Sequence, residues 1–555
     1  MSDAASTVGQ ARADSGQSTL MVVGASSLGT MFEWYDFFLY GSLATYIAGH
    51  FFSGANEAMS YIFALGAFSA GFLVRPLGAV VFGRIGDLVG RKRTFLITMA
   101  LMGVATFLVG ILPTYAQIGI AAPIILVVLR LLQGLALGGE YGGAAVYVGE
   151  HSPSNKRGLH TSWINATASA GLLLSLIVIL GTRISMTADD FKEWGWRVPF
   201  LLSVFLLGTS LWIRLRLNES PIFQRMKEEA TTSRAPLAEA FSSWSNVKLM
   251  LIALFGATIG ATTVWYTGQL YTLLFLERTL KVDGLTANLL VAIALAIAAP
   301  AYIFCGWLSD RIGRKIVMMV GLGLALLSYF PAFHLLTEAA NPALARAQRT
   351  APVTVYADPS QCSFQFDPIG RNTFDERSCD IAKSYLSKAG VSYHAADLGA
   401  GGVAEIHIGE RILKAPDPRA MSPEERKAAI TAYQGDVRAA LDAAGYPATA
   451  NDAEVNRPLV VAIVAYLSLI SALGYATIAA MFVELFPARI RYTSMSIPYH
   501  IGTGWVGGLL PTTAFAIVAA TGDIYSGLWY PIFFVGLCFI IGLFFLPETK
   551  GRSID

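Results

Sequence analysis

The chain has 555 residues, of which 54% are hydrophobic and 14% charged, with a formal net charge of +2. Soluble domains carry about 25% charged residues, and the basic residues here are scattered in short clusters, so a water-soluble enzyme and a nucleic-acid-binding protein are both excluded. The apolar excess lies in long blocks such as 94–112 and 530–546. A bilayer core of roughly 30 Å needs about 20 apolar residues per helix. Backbone polar groups cannot stay unpaired in lipid, so such blocks must be helical.

The first twenty residues are polar and lack the basic start of a cleavable signal. Residues 1–22 are therefore read as a cytoplasmic tail. Twelve membrane helices are predicted, at 23–49, 59–82, 94–113, 121–148, 160–182, 197–216, 247–276, 285–307, 316–335, 458–485, 494–520 and 527–546. The fourth is glycine-rich (Gly134, Gly138, Gly139, Gly142, Gly143), which lets membrane helices approach closely. Lys and Arg follow the even-numbered helices: Arg84, Arg91, Lys92 and Arg93, then Lys156 and Arg157, then Arg225, Lys227 and Arg234. Arg311, Arg314, Lys315, Arg489, Arg491, Lys550 and Arg552 continue the pattern, whereas 50–58 and 114–120 have none. Both termini are thereby placed in the cytoplasm.

The sequence repeats. Gly83, Asp87, Gly90 and Arg91 recur 223 residues later as Gly306, Asp310, Gly313 and Arg314. Glu150, Pro153 and Arg157 recur 334 residues later as Glu484, Pro487 and Arg491. About 111 extra residues must lie between Asp310 and Glu484, and the polar stretch 337–456 supplies them. It follows the ninth helix, on the side away from the cytoplasm. Val353–Tyr356, Ser363–Phe366 and Glu405–Ile408 have strand character. Ser422 to Glu425 reads as a capping box with Pro423 at the first helical position, opening a helix that runs to Gly445. A small α+β extracytoplasmic domain is predicted, with Cys362 and Cys379 bridged. The whole reads as an all-α membrane protein: a six-helix bundle (23–216), a cytoplasmic linker (217–246), helices 7–9 (247–336), the inserted domain (337–456), helices 10–12 (457–546) and a short tail (547–555).

The paired Gly-x-x-x-Asp-x-x-Gly-Arg-Lys loops resemble the signature loop of the major facilitator superfamily. Phe32-Glu-Trp-Tyr-Asp-Phe37, Arg130-Leu-Leu-Gln-Gly134, Gly138-Gly-Glu-Tyr-Gly-Gly143, Trp194-Gly-Trp-Arg-Val-Pro199 and Pro547-Glu-Thr-Lys-Gly551 narrow the resemblance to the metabolite:proton symporter family. That family includes carriers of 2-oxoglutarate, citrate, shikimate and proline/betaine. The resemblance covers nearly all of the chain outside 337–456. It implies alternating access and a monomer in a bacterial inner membrane, with a small solute and protons as partners. In the superfamily the signature loop stabilises the outward-open state, and Asp310 and Arg314 are expected to do the same in the second half.

Ionisable groups at bilayer depth cost about 2.5–3.5 kcal/mol on insertion scales, so they are functional candidates by default. Asp36 is read as the proton site, with Glu33 or Glu140 as the alternative. Arg75 stands twelve residues before Asp87, about 18 Å along a helix, near the middle of the membrane. Arg75 or Arg130 is read as the cation for an anionic substrate, because a guanidinium fork bonds both carboxylate oxygens. Gln133, Tyr35, Tyr40, Trp265, Tyr266, Gln269 and Tyr499 complete the expected lining, with Trp34, Tyr271, His500, Asn165 and Trp163 as further candidates. Against this stands permanent pairing of acids and arginines that only holds helices together. The gating groups are expected to be Asp87 with Arg91, Asp310 with Arg314, and the relays Glu150–Arg157 and Glu484–Arg491.

Nothing pairs a nucleophile with a base, and the sequence has neither a nucleotide-binding loop nor metal-ligand spacing. An enzyme, a cofactor and a metal are not expected. The leading function is proton symport of a small organic anion. The alternatives are symport of a zwitterion such as proline or betaine, and a receptor whose external domain binds a ligand or an unknown partner. Ending nine residues after Leu546 counts against the osmosensing carriers, which can carry a long C-terminal coiled coil.

Overall fold

A computed structural model describes residues 19–52, 66, 67, 69–216, 218–363 and 374–554. The chain is mostly helical. In order, α1 (Thr19–Ser42) and α2 (Arg75–Val89) precede α3 (Arg91–Ile111), α4 (Ala121–His151), α5 (Ser154–Ile184) and α6 (Arg197–Leu215). Then come α7 (Trp244–Thr279), α8 (Gly284–Ile312) and α9 (Arg314–Ala340). After a mixed segment containing α10 (Ser378–Lys388) and α11 (Pro423–Ala443), the chain ends on α12 (Arg457–Leu485), α13 (Ala488–Val518) and α14 (Ser526–Phe545).

Among the described residues, ten helices, α3 to α9 and α12 to α14, are long and apolar enough to cross a membrane. α1 and α2 are not among them. Glu33, Trp34, Tyr35 and Asp36 dilute the apolar run of α1, and helix α2 has only 15 residues. The expected second span, 59–82, lies partly outside the described residues. Several helices outrun their apolar stretch. α2 continues to Val89 and α8 to Ile312, so the signature-loop motifs are largely helical. Each motif breaks only at its second glycine, where Gly90 (φ 121°) and Gly313 (φ 114°) occupy the left-handed region. α9 likewise runs past the expected end at 335 to Ala340, and the linker folds into short helices at Pro221–Glu228 and Pro236–Ser242.

The N-terminal helices pack on the C-terminal ones chiefly through α5 against α8 and α2 against α13, with further contacts of α4 on α12 and α13 and of α5 on α12. Within the N-terminal part α2 and α4 approach at glycines. A methyl added at Gly138 would strike the Arg75 carbonyl, and one at Gly134 the Gly71 carbonyl. Overpacking of this kind costs about 1–3 kcal/mol. Gly138→Ala should lower thermal stability in detergent by that amount.

Between α9 and α12 lies a four-stranded sheet ordered β2-β1-β3-β4, built from β1 (Val353–Ala357), β2 (Tyr393–Asp397), β3 (Glu405–Ile408) and β4 (Arg411–Lys414). β1 runs parallel to β2 and antiparallel to β3. Val353, Val355, Ile406 and Ile408 are buried, on the period of two that one covered face requires. Ser422 and Glu425 form a capping box at the start of α11, which ends at Ala443. Cys362 and Cys379 are disulfide-bonded. The expected strand 363–366 lies, apart from Ser363, outside the described residues, and Ser363 is not in a strand.

This segment is fastened to the helices around it. Tyr393 N donates to Gly522 O at 2.8 Å and Ile524 N to Ser392 Oγ at 3.0 Å. Lys281 Nζ donates to Pro447 O at 3.1 Å, and Ala450 N to Lys281 O at 3.0 Å. Burial, reinforced by the Arg438 charge and opposed by Asp442, pushes the Lys281 amine down to about 8 from its ordinary 10.5. Between those values the unfolded chain binds more protons than the folded one, so stability rises with pH across that window and is flat below it. Thermal unfolding followed from about pH 7.5 to pH 10 should show this rise, and Lys281→Met should lose it.

Candidate functional site

α1, α4 and α6 bring their charged side chains together in the buried interior of the N-terminal part. Arg214 of α6 is 1% exposed and lies with Nη1 3.1 Å from Glu140 Oε1 and 3.6 Å from Glu33 Oε1. Its guanidinium rests on the Phe95 ring, 3.2 Å from the centroid. Thr98 Oγ1 donates to Glu140 Oε2 at 2.9 Å. One turn further along α1, Asp36 faces Arg130 and the hydroxyl of Thr106. Arg130 Nη1 donates to Gln133 Oε1 at 2.5 Å, and Gln133 Nε2 to Thr106 Oγ1 at 2.7 Å. Tyr40 lies under the Arg130 guanidinium at 4.2 Å. Arg130, Gln133 and Tyr40 thus belong to one network with Asp36.

Arg75 is placed differently. It is 1% exposed and, among the described residues, faces no carboxylate within ion-pair distance; Nε and Nη2 have no hydrogen-bond partner. Its guanidinium lies 4.5 Å from the Phe37 ring, 4.4 Å from Phe72 and 5.5 Å from Trp34. Rings partly offset the lost hydration of a buried cation, but they supply no acceptor for its N–H groups. Tyr266 of α7 and Tyr499 and His500 of α13 also face it. Arg75 therefore sits where the N- and C-terminal helices meet.

Around it are aromatic contacts between the two parts. Trp265 packs 6.0 Å from both Trp34 and Phe38. Tyr141 stacks on Tyr499 at 3.7 Å, and Tyr499 and Tyr475 bond through their hydroxyls. Tyr141 OH donates to Asn165 Oδ1 at 2.8 Å, and Asn165 Nδ2 to the carbonyls of Tyr475 and Ala476. Gln269 Nε2 donates to Ser169 Oγ at 2.9 Å and Tyr302 OH at 3.0 Å. Two expected lining residues stand elsewhere. Tyr35 OH donates to Pro199 O at 2.8 Å, tying α1 to the start of α6, and Trp163 is 48% exposed on the outside of α5. Tyr271 packs among Phe275, Phe333 and Phe515.

At the signature-loop end the two parts are locked by a duplicated charge cluster. Asp87 pairs with Arg91 at 3.4 Å and accepts from Thr493 N at 2.9 Å, Thr493 Oγ1 at 2.7 Å and Tyr492 N at 3.4 Å. Asp310 pairs with Arg314 at 2.7 Å and accepts from Gly158 N at 2.9 Å and Leu159 N at 2.8 Å. Each aspartate thus caps a helix start of the other part, where the helix dipole favours an anion. Glu150 holds Arg491 at 2.8 Å and Glu484 holds Arg157 at 3.0 Å. The partners are exchanged relative to the sequence-local reading: neither glutamate pairs with the arginine seven residues after it.

Four further groups complete the cluster. Glu219 accepts from Arg91 N and Lys92 N, and Glu548 from Arg314 N and Lys315 N. Ser220 Oγ donates to Glu150 at 2.5 Å, and Thr549 Oγ1 to Glu484 at 2.8 Å. Their signal was a third repeat, Glu219-Ser220 against Glu548-Thr549, too short to stand out unaided. Arg214 was missed because an arginine at the end of an apolar run reads as an interfacial anchor.

The model of the sugar (and other) transporter family matches residues 21–250 and 441–555. The shikimate transporter of Escherichia coli (strain K12) is 37% identical over 338 residues, 59% of this chain and 76% of that one. A putative proline/betaine transporter of Staphylococcus haemolyticus (strain JCSC1435) is 34% identical over 331 residues, covering 59% and 69%. In fold, the chain is similar to the major facilitator superfamily proton:xylose symporter XylE bound to 6-bromo-6-deoxy-D-glucose. The TM-score is 0.57 at 14% identity, over 97% of each chain. A double-tryptophan mutant of XylE gives a TM-score of 0.62, also at 14% identity and 97% coverage of each chain.

Proposed function

Because the chain belongs to the sugar (and other) transporter family of the major facilitator superfamily, we propose that it is a proton-coupled symporter of a small organic anion. It works by alternating access through twelve membrane helices, ten of them α3 to α9 and α12 to α14, with α1 and α2 contributing to the others. The signature loops and both termini face the cytoplasm of a bacterial cell, and the segment between α9 and α12 lies outside. The protein acts as a monomer in the inner membrane.

The observation that carries this reading is Arg75. A guanidinium buried at the meeting of the two parts without a carboxylate among the described residues is costly unless something supplies the missing charge. A carboxylate substrate would do so, bonded by both arms of the fork. Sugars, the namesake substrates of the family, would leave that charge unmet. Carriers place substrate sites near the midplane between their repeats, and the contacts of Arg75 with α7 and α13 suit that position. Proton coupling is assigned to the buried acids Glu33, Asp36 and Glu140.

The similarity to a protein named as a proline/betaine transporter favours a second reading, a zwitterionic solute whose carboxylate meets Arg75. Proteoliposome uptake under an imposed pH gradient separates the two. Cyclic and linear carboxylates, proline, betaine and xylose would be offered in turn. Carboxylate accumulation is expected; accumulation of betaine alone would establish the second reading. Uptake of none, or of xylose alone, would overturn the proposal.

A further inference from the structure

We propose that Glu33 and Glu140 hold one proton between them, clamped against Arg214, and that Tyr492 is the stopper separating that proton from the cytoplasm. This rests on the symporter reading and identifies the groups that carry its proton.

Three observations support it. The first is geometry. Arg214 Nη1 lies 3.6 Å from an oxygen of Glu33 and 3.1 Å from one of Glu140, so both carboxyl groups converge on one nitrogen of a single buried guanidinium. Two ionised carboxylates converging on one cation repel each other, and a proton held by one of them removes that repulsion. The second is charge. Glu33 is 3% exposed and Glu140 1%, and one guanidinium balances one carboxylate. The other charged or titratable groups facing the cluster do not balance the second. Asp36 adds negative charge and is itself turned to Arg130, while Tyr492 faces the acids and Tyr147 faces Arg214. With one shared proton the triad is neutral, as in other pairs of carboxyl groups buried against each other. The proton lies on the Glu33 side, because Glu140 already accepts from Thr98 and, among the described residues, Glu33 accepts no hydrogen bond.

The third is the cover. Tyr492 belongs to α13, yet its ring fills a slot in the N-terminal part walled by Gly86, Gly142 and Gly143. A methyl on Gly86 or Gly142 would strike the ring, and one on Gly143 would strike its hydroxyl. Its hydroxyl donates to Gly139 O at 2.5 Å, the residue before Glu140, and its main-chain N donates to Asp87. When α13 parts from α2, the Asp87 contacts break and the ring leaves the slot with its own helix. The proton then passes from the Glu33–Glu140 pair to cytoplasmic water. Two carboxylates and one guanidinium remain, and their net negative charge is now solvated. Closure in that state is disfavoured until a proton returns, which makes the return step obligatory for coupling.

Infrared spectroscopy of the purified full-length protein, free of solute, tests this. At neutral pH a protonated-carboxyl C=O stretch is expected in the wild type. It should be lost in Glu33→Gln and equally in Glu140→Gln, because either remaining acid then ionises against Arg214, and it should persist in Asp36→Asn. Absence of the band, its survival in Glu140→Gln, or its loss in Asp36→Asn alone would overturn the shared proton. Transfer into D2O reads the stopper. The band should shift at least tenfold faster in Tyr492→Ala than in the wild type, and measurably faster in Tyr492→Phe, which keeps the ring and loses only the bond to Gly139. Unchanged exchange in Tyr492→Phe, with unchanged exchange in Tyr492→Ala if it folds, would overturn the stopper. No transported solute enters these measurements, so their failure and that of the uptake assay are separable.

Discussion

Exchanging Arg75 for glutamine should abolish gradient-driven carboxylate uptake while raising the thermal stability of the empty protein. The two effects have one cause. The Arg75 charge is buried and, among the described residues, has no acid partner, so the empty fold bears its desolvation cost, which a bound carboxylate would relieve. Charge-assisted hydrogen bonds contribute about 1.5–3 kcal/mol each, and losing a bidentate pair should weaken binding roughly a hundredfold to ten-thousandfold. Arg75→Lys keeps the charge but not the fork. It should retain the stability of the wild type and bind carboxylates with intermediate affinity. Calorimetric binding and thermal unfolding, measured on the same preparations, check both halves. A glutamine variant that is less stable than the wild type would show that Arg75 is a structural group with a partner of its own.

How far these features could be read from sequence depended on the range of the interaction. Helices α3 to α9 were legible because about 20 apolar residues need only local bookkeeping. Their ends were not, since helix geometry continues through the charged motif residues until Gly90 and Gly313 turn the chain. The duplicated aspartates were legible as a repeat, but the exchange of partners that joins Glu150 to Arg491 and Glu484 to Arg157 was not. Both choices satisfy the same local spacing, and only the packing of one part on the other selects between them. The same holds inside the N-terminal part. Glu33, Asp36, Glu140, Arg75 and Arg130 announced themselves as charges at bilayer depth, whereas their sorting into a Glu33–Glu140–Arg214 triad, an Asp36–Arg130 network and an Arg75 with no carboxylate partner among the described residues depended on Arg214, a residue whose position in the chain is that of an ordinary helix end. The glycines of α4 suggested close helix packing in general. That Gly142 and Gly143 of α4, with Gly86 of α2, make room for one tyrosine from α13 is a tertiary fact.

Neutralising Glu150 or Glu484 should open the signature-loop side. Glu150 neutralises Arg491 at 2.8 Å, lies 3.8 Å from Arg91 and accepts from Ser220. Glutamine in its place leaves two buried guanidinium groups with one aspartate, Asp87, between them. Removing one partner of a buried ion pair costs about 3–5 kcal/mol. That cost falls only on the closed arrangement, because opening exposes the same arginines to water. Inverting a two-state population from 1:99 to 99:1 takes about 5.5 kcal/mol, so Glu150→Gln alone should move a strongly closed protein most of the way. Glu150→Gln with Glu484→Gln should leave it predominantly open. Spin labels at Asn155 and Arg489, one in each part on the signature-loop side, would report the change as a longer interlabel distance. The shift should be nearly independent of ionic strength, since buried pairs are screened far less than exposed ones. An unchanged distance in the double variant would mean that the Asp87 and Asp310 caps hold the gate without the glutamate relays.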